Sequence, residues 1–426
     1  MVNTGKLICK HLVIKIASRC NLNCSYCYMY NMGDSTYKNQ PKFMSKEVIL
    51  STLREVKNHC IENELDEFTF VFHGGEPLLA SPKLYEFFVN NTKEILPAGI
   101  KINFKLQTNG MLITKAWCEL FEKLNIGIGI SLDGDKNEND KYRLDHKGNG
   151  SFDAIMKGYA TANTYLNNKP GIVTFINIGT NPLTTYNFLK SIEIGFVDFI
   201  LPDGTHNTPH WDSLFESQTP YAEWLIQIFD LWFFEKGQKP KIRFFETIMM
   251  LILGRGTDEG NDALGVGSHQ VLVIETDGGI EPIDSLKVCG NGFTKINANI
   301  LTSKISDAFD KELAQLCNLS HKLLCKQCMN CPVKNICGGG YLAHRFSNEN
   351  GFNNPSIYCN DLLKLITHIQ NVVFGEIPTH LFEELNLQLV RYEDAKLMIE
   401  QKKTISVEPE WTDYLMGFRN KNHKYV

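Results

Sequence analysis

The feature that most constrains the fold is a repeat between residues 12 and about 203, in which β-branched or aromatic runs alternate with segments of helical period. Such runs predict buried strands, and the amphipathic segments predict helices. We expect six strands, at His11–Ala17, Phe68–His73, Ile102–Gln107, Ile126–Ser131, Val173–Ile178 and Val197–Leu201. Strands that alternate with helices form parallel βαβ units, and right-handed crossovers curl the sheet. The sequence therefore predicts an α/β fold with a partial (β/α)6 barrel.

Unusual motifs follow the predicted strands at the points where each strand ends. Cys20 follows the first strand, HGGEP the second, QTNG the third, SLDGD the fourth and LPDGTH the sixth. In barrels of this type, the chemistry is located on loops after the carboxyl ends of the strands. We therefore expect these motifs to share one face.

Beyond the barrel, the pattern predicts three further regions. A helix is expected at 216–237, with a buried apolar face, and a hairpin is expected at VLVIETDGGIEPID, where Asp and Gly supply the turn. A cysteine-rich stretch follows from 316 to 361, and the last fifty residues look helical, with an apolar face expected to pack on the body. The expected domains are a barrel at 1–215, a linking helical region at 216–264, a metal-binding domain at 265–365 and a helical extension at 366–426.

Composition excludes several classes of function. The net charge is -5, and 43 Lys and Arg are mixed among 48 Asp and Glu, so no basic stripe for a nucleic acid is evident. No segment approaches the apolar length of a membrane span, and no signal peptide is evident, which predicts a cytoplasmic protein without a membrane partner. The cytosol keeps thiols reduced, so clustered cysteines among the 13 indicate metal ligands. Cys9, Cys60 and Cys118 are isolated and are expected in the core.

The first cysteine group is Cys20-Asn-Leu-Asn-Cys24-Ser-Tyr-Cys27. Three thiolates on one loop can hold three irons of a 4Fe-4S cube and leave the fourth iron open. The alternatives are a structural zinc site, which normally needs four ligands, and a chance group of cysteines. No fourth protein ligand is evident nearby, which favours the open iron.

The second group reads Cys325-Lys-Gln-Cys328-Met-Asn-Cys331, and Cys337 and Cys359 follow it. A CxxC pair beside further thiolates indicates an iron-sulfur cluster. Four thiolates also suit structural zinc, so that alternative stays open.

The CxxxCxxC spacing, with an aromatic before the last cysteine, resembles the radical S-adenosylmethionine (SAM) superfamily, as do the other strand-end motifs. The resemblance implies that the open iron chelates SAM, and that electron transfer cleaves SAM to a 5′-deoxyadenosyl radical. This radical abstracts a hydrogen atom from the substrate. An electron donor such as flavodoxin or ferredoxin is then an expected partner.

The same resemblance assigns the residues that contact SAM. Tyr26 is expected near the adenine, and a segment around HGGEP is expected at the methionine amino group, where glycines allow close approach and a carboxylate complements an ammonium. Arg143 is expected to pair with the SAM carboxylate, although an arginine there is more often a solvated surface charge. The remaining residues assigned to SAM binding are Gly74, Gly75, Glu76, Asn109, Ser131 and Asp133.

The C-terminal group resembles the SPASM domain of radical SAM maturases. By this resemblance, the ligands of an auxiliary 4Fe-4S cluster are Cys328, Cys331, Cys337 and Cys359. Tyr341 and Ile283 stand where the family commonly has cysteine ligands of a second auxiliary cluster, so a standard one is not expected. An unorthodox second cluster, with the ligands Cys289, Cys317 and Cys325, is a hypothesis.

Three segments, CGGGYLAHRFSNENGFNNPSIYCNDL, VDFILPDGTH and ETDGGIEPIDSLKVC, resemble maturases of ribosomal precursor peptides. Members of that branch join an aromatic ring to the β-carbon of a residue two places on, forming cyclophanes. This reaction needs a base, and the candidates are Asp284, which matches the catalytic aspartate of sulfatase-maturing relatives, and then Asp203 and His206. Each of the three could instead stabilise a turn. Two alternative functions remain: oxidation of Cys or Ser to formylglycine on a sulfatase, and an iron-sulfur electron-transfer or scaffold protein.

Overall fold

The computed structural model describes residues 6–208, 217–255, 263–385 and 387–419. The six strands predicted for the barrel are confirmed: β1 (His11–Ala17), β2 (Glu67–Gly74), β3 (Lys101–Thr108), β4 (Ile126–Ser131), β5 (Gly171–Phe175) and β6 (Phe196–Ile200). Four further strands are β7 (Lys241–Ile242), β8 (Val271–Ile274), β9 (Gly279–Glu281) and β10 (Ala298–Asn299).

All ten strands form one sheet, in the order β10-β9-β8-β1-β2-β3-β4-β5-β6-β7. Neighbours from β1 to β7 are parallel, and β8 is parallel to β1 on its other edge. The predicted α/β class is therefore confirmed. The predicted hairpin is confirmed as the antiparallel pair β8 and β9, and both strands belong to the ten-stranded sheet.

Helices connect the strands and cover the outer face of the sheet. Those of the barrel are α1 (Lys46–Glu62), α2 (Pro82–Ile95), α3 (Lys115–Leu124), α4 (Lys136–Tyr142), α5 (Phe152–Tyr165) and α6 (Pro182–Ser191). The helix predicted at 216–237 is α7 (Pro220–Phe234), with residue 216 outside the described part, and α8 (Arg243–Ile252) follows β7. Side chains start several helices: Ser45 accepts a hydrogen bond from the Val48 N–H at the start of α1, as N-cap residues do.

The C-terminal part is built from short helices and loops. These are α9 (Ile305–Ala308), α10 (Glu312–Leu319), α11 (Lys326–Met329), α12 (Lys334–Cys337), α13 (Cys359–Gly375), α14 (Thr379–Glu384), α15 (Tyr392–Ile405) and α16 (Thr412–Met416). Helix α13 packs on α7 and α8, and α15 packs on α13. As predicted, Leu415 and Phe418 are buried against the body. The expected domain boundaries stay a prediction.

Aromatic side chains of β2 and its neighbours form the centre of the core. Phe70 and Phe72 are fully buried, and their rings lie 5.2 and 5.0 Å from that of Phe88 on α2. Removing such a ring costs about 3 to 5 kcal/mol, because the cavity left behind adds to the lost burial. Cys9, Cys60 and Cys118 are at most 1% exposed, which confirms that they are core residues. Among the described residues, no helix has the length and apolarity to span a membrane.

Candidate active site

The loop after β1 carries three free, half-buried cysteines, Cys20, Cys24 and Cys27. It is held by backbone contacts: the Cys27 N–H donates to the Cys24 carbonyl at 3.0 Å, and the Asn31 side chain donates to the same carbonyl at 2.8 Å. The Leu22 N–H donates to the Cys20 sulfur at 3.3 Å. Burial raises the pKa of Cys20 to about 12 and that of Cys27 to about 11, so these sulfurs become thiolates only beside a cation. This donor set fits the iron of a cluster.

Tyr26 links the cysteine loop to the ends of β4 and β5. Its hydroxyl donates to Asp133 at 2.5 Å and accepts from Arg143 at 2.8 Å, and its ring stacks on Phe175 at 4.0 Å. Arg143 is 6% exposed, so the interpretation of this residue as a solvated surface charge is wrong. Within the described residues its buried Nε has no hydrogen-bond partner, which leaves a donor for an anionic ligand. Its assignment to the SAM carboxylate stays a prediction.

The glycines of HGGEP serve an approach between two segments of the chain. Gly74 has φ +141°, and a Cβ there would lie 2.0 Å from the Ala17 carbonyl oxygen at the end of β1. A Cβ on Gly75 would lie 2.1 Å from the Tyr30 hydroxyl, and the Gly75 N–H donates to the Ala17 carbonyl at 2.9 Å. The observed reason for both glycines is therefore that β2 ends directly against the start of the cysteine loop. Their predicted approach to SAM stays a prediction.

Glu76 is fully buried and joins two of the predicted motifs. One carboxylate oxygen accepts from the Leu78 N–H at 2.9 Å and from the Thr108 hydroxyl at 2.7 Å, and the other accepts from the Asn109 N–H at 2.8 Å. Burial raises the pKa of Glu76, and these three donors oppose that rise. The carboxylate therefore positions the QTNG loop, in addition to any contact with an ammonium.

Asn109 and Ser131 lie on the same edge of the sheet. The Asn109 side chain donates to Asn21 at 2.8 Å and lies 3.8 Å from the Cys20 sulfur. The Ser131 hydroxyl accepts from the Gln107 side chain at 2.9 Å. The structure thus brings Asn109 to the cysteine loop, while Ser131 is held one strand further along.

A buried ionic group, which the sequence analysis missed, lies beside the cysteine loop. Lys15 is fully buried on β1 and forms an ion pair with Asp284, and its Nζ lies 3.1 Å from His73 Nδ1. The Tyr28 hydroxyl donates to the same Asp284 oxygen at 2.7 Å. Burial alone would raise the pKa of Asp284, but Lys15 and His73 hold it well below its usual range. The available signal was a lysine inside the otherwise apolar strand HLVIKIA.

The two other candidate bases differ in position. His206 is exposed. Its ring nitrogen Nε2 lies 2.8 Å from the Pro355 carbonyl, and its backbone N–H donates to the Phe346 carbonyl at 2.9 Å. These contacts join the loop after β6 to the C-terminal part, and they do not bring His206 to Asp284. Asp203 is half-buried and acts electrostatically on Tyr28, which places it near the ionic group. The catalytic roles of all three candidates stay predictions.

The C-terminal cysteines line a small cavity. Its walls are Gln327, Cys328, Cys331, Val333, Lys334, Cys337, Gly339, Cys359, Leu363 and Ile399. All four cysteines predicted as auxiliary ligands are thus brought together. Among the described residues, no three His, Cys, Asp or Glu side chains converge closely enough for one metal ion. Four thiols around one cavity can hold an iron-sulfur cluster or a structural zinc, so both alternatives stay open here.

The three cysteines of the hypothetical second cluster divide between two places. Cys325 hydrogen-bonds with Cys328, beside the cysteine cavity, whereas Cys289 and Cys317 are electrostatic neighbours of each other. Tyr341 packs its ring on His344 at 5.4 Å, and Ile283 is 9% exposed. Side chains that pack against their neighbours therefore occupy the two positions where SPASM proteins commonly have cysteine ligands. The second cluster stays a hypothesis.

Comparison with known proteins extends this picture. Residues 14–184 match the model of the Radical SAM superfamily. A cysteine-type anaerobic sulfatase-maturating enzyme of Clostridium novyi is 29% identical over 82% of this chain and 91% of the relative. A serine-type enzyme of Bacteroides thetaiotaomicron is 26% identical over 79% of this chain and 83% of its own.

Two solved structures have a related fold. The protein anSMEcpe, solved with bound AdoMet and a Cp18Cys peptide, is 23% identical, with a TM-score of 0.70 over 93% of this chain and 99% of the other. SuiB of Streptococcus suis is 16% identical, with a TM-score of 0.52 over 82% of this chain and 76% of its own. At these identities the likeness concerns the fold alone.

Proposed function

Since residues 14–184 match the Radical SAM superfamily, we propose that the chain is a radical SAM enzyme that modifies a ribosomal precursor peptide by joining an aromatic ring to a nearby β-carbon. Cys20, Cys24 and Cys27 would hold the catalytic cluster, with SAM beside Tyr26 and Arg143. When bound, these groups supply one-electron cleavage of a sulfonium and thus the power to remove an unactivated hydrogen atom. An external donor such as flavodoxin or ferredoxin would supply the electron.

The observation that carries this proposal is the pairing of Asp284 with Lys15 beside the cysteine loop. After the β-carbon adds to the ring, the ring must lose a proton and an electron to become aromatic again. That proton is strongly acidic, so a carboxylate whose pKa is held low can accept it. The Asp284 carboxylate can therefore serve crosslinking. Because Asp284 also matches the catalytic aspartate of sulfatase-maturing relatives, it serves either reaction, and the choice of crosslinking rests on Tyr341 and Ile283.

The electron needs an acceptor inside the protein. We assign this role to an auxiliary cluster held by the four cavity cysteines, Cys328, Cys331, Cys337 and Cys359. At the first cysteine site, Arg143 and Tyr26 would orient SAM. The auxiliary cluster would lie in the separate C-terminal cavity. Proton and electron thus leave the substrate toward different parts of the chain.

Formylglycine formation on a sulfatase is the second candidate. It is favoured by the relatives from Clostridium novyi and Bacteroides thetaiotaomicron, which are sulfatase-maturating enzymes matched over most of their length. Against it stand Tyr341 and Ile283, which pack at positions where relatives of that kind commonly have cluster ligands. This second candidate shares the cofactors and differs in the substrate and product.

The test is anaerobic reconstitution, an iron count, and mass spectrometry of peptides incubated with enzyme, SAM and reductant. The panel contains short peptides with an aromatic-x-polar triplet and a sulfatase-derived peptide. We expect roughly eight irons per chain, and a triplet peptide that loses two hydrogens, resists fragmentation inside the ring and does not react with a hydrazide. A linear, hydrazide-reactive product would establish formylglycine instead. Failure to cleave SAM would favour the electron-transfer or scaffold alternative.

A further inference from the structure

We propose that Arg345 is the buried counter-charge of the auxiliary cluster and raises its reduction potential, an inference that rests on the proposed function. Arg345 is fully buried. Its guanidinium donates to three backbone carbonyls: that of Ser320 at 2.8 Å, that of Phe352 at 3.5 Å, and that of Leu323. In the described part of the chain, its Nε has no hydrogen-bond partner, and no carboxylate pairs with its guanidinium.

A buried arginine without an anion is unfavourable, because removing a charge from water costs more than neutral carbonyls return. The groups that act on Arg345 electrostatically are Cys328, Cys325 and Cys337. Two of these three, Cys328 and Cys337, line the cysteine cavity, so an anionic cluster bound there would supply the missing counter-charge.

The wall between Arg345 and this cavity is thin. Gly339 lines the cavity, and a Cβ on Gly339 would lie 3.6 Å from both Cδ and Nη1 of Arg345. Gly339 has φ +83°, a conformation that a side chain rarely adopts. A Cβ there would meet Leu324 first, at 2.7 Å, and would only touch Arg345, so the guanidinium lies one van der Waals contact behind the cavity wall.

A cluster with four thiolates is anionic, and its one-electron reduction adds a negative charge without a proton. A fixed cation behind the wall stabilises the reduced form more than the oxidised form, which raises the potential. A higher potential suits a cluster that accepts an electron from the substrate. Burial strengthens this effect, since little water screens the charge.

The test uses the full-length chain with Cys20, Cys24 and Cys27 replaced by Ala, so that the auxiliary cluster alone is observed. Its midpoint potential is measured by redox titration with a low-potential reductant, followed by electron paramagnetic resonance. Arg345→Gln should lower the potential by about 59 mV or more, a tenfold change in the reduction equilibrium. Arg345→Lys should keep most of the wild-type value. Lys334→Gln is the matched control, because Lys334 lines the same cavity with partial exposure, and its shift should be smaller.

An unchanged potential in Arg345→Gln, with the cluster intact, would overturn the inference. If that variant fails to retain the cluster, the loss of melting temperature on chelation is compared between Arg345→Met and wild type. Wild type should lose more, because chelation leaves its buried cation unpaired, and equal losses would overturn the inference. About four irons per wild-type chain would instead remove the auxiliary cluster and with it the proposed electron acceptor.

Discussion

Each of the two thiol sites has a buried arginine whose Nε finds no hydrogen-bond partner in the described segments, and the surroundings of these arginines differ. Arg143 donates to Tyr26, whose hydroxyl is shared with Asp133. Among the described residues, Arg345 donates to three backbone carbonyls and to no side chain. Side chains on strand ends can change partners when a ligand arrives, whereas carbonyls fixed in a fold cannot. The first site is therefore suited to bind and release a ligand, and the second to retain one.

Backbone conformation supports the same contrast. Three consecutive glycines at 338–340 have φ of +59°, +83° and +69°, and they wrap the loop around the cysteine cavity. A Cβ on Gly338 would lie 1.8 Å from the Gly265 carbonyl oxygen. At the barrel site, Gly74 serves to join β2 to the cysteine loop. The shape of the C-terminal cysteine cavity thus depends on its backbone, whereas the site at the cysteine loop after β1 depends on polar side chains.

The largest expected effect separates the two sites by function. Cys24→Ser should lower the rate of SAM cleavage more than about a hundredfold and keep the auxiliary iron, because only the first site loses a ligand. Cys331→Ser should keep SAM cleavage and lose the crosslinked product. Measuring 5′-deoxyadenosine, iron and peptide mass for both variants checks this. An equal loss of SAM cleavage in Cys24→Ser and Cys331→Ser would show that the two sites do not have separate functions.

Asp284 lies beside the first cysteine loop, where it accepts a hydrogen bond from Tyr28, and its substitution should affect only the later chemistry. Asp284→Asn should slow crosslinking by about 10² to 10⁴, because the amide cannot accept the ring proton. SAM cleavage should continue, with more 5′-deoxyadenosine per peptide product. Asp203→Asn is the matched control, with a smaller effect expected. Parallel loss of cleavage and crosslinking in Asp284→Asn would contradict the assignment.

Arg143→Gln tests the claim that the first site exchanges partners. A lost charged hydrogen bond costs about 1.5 to 3 kcal/mol, so SAM affinity should fall roughly ten- to a hundredfold. The auxiliary potential should not move. Isothermal titration of the cluster-loaded enzyme with SAM measures the first quantity, and unchanged affinity would show that Arg143 has a structural role only.

Acid should weaken the C-terminal part through His344, which is buried against Tyr341 and Tyr358 and near His206. Burial lowers the pKa of His344 to about 3, whereas unfolded histidine titrates near 6.5. Its neutral form therefore contributes stability that is full above about pH 6.5 and is lost as pH falls toward 3, about 2 kcal/mol of it by pH 5. His344→Phe should flatten the pH dependence of the melting temperature in this window. An unaltered slope would contradict this.

The smallest expected effect concerns the C-terminal segment that contains Trp411 and Tyr414. The Trp411 indole donates to the Leu324 carbonyl at 2.8 Å, so Trp411→Phe should lower the free energy of unfolding by about 1 kcal/mol. Tyr414→Phe loses a more exposed bond, to the Glu312 carbonyl, and should cost less. Denaturant unfolding followed by fluorescence measures both, and the reverse ranking would show that the indole bond does not matter.

The sequence predicted the parts of the fold that have local periodicity. Six strands and the hairpin were found because each has a run of apolar residues, whereas β7 and β10 have only two residues each. The pairing of β8 with β1 could not be predicted, because it joins residues far apart in the chain.

The site was predicted unevenly for similar reasons. Tyr26, Asp133 and Arg143 lie together as their motifs suggested, whereas His206 points to the C-terminal part. Lys15 was missed because a buried lysine in an apolar strand contradicts its usual preference for solvent. Partners that compensate a buried charge come from distant segments, so no local pattern predicts them.

The position of β1 within the sheet has a consequence during synthesis. Its residues 11–14 pair with 271–274, so one edge of this strand lacks its neighbour until roughly 260 more residues have been made. At about 5 to 20 residues per second, that interval lasts about 13 to 50 s. An unpaired apolar edge is a template for pairing with other chains. The nascent barrel therefore has a long period of exposure to aggregation, which ends only when the ribosome delivers β8.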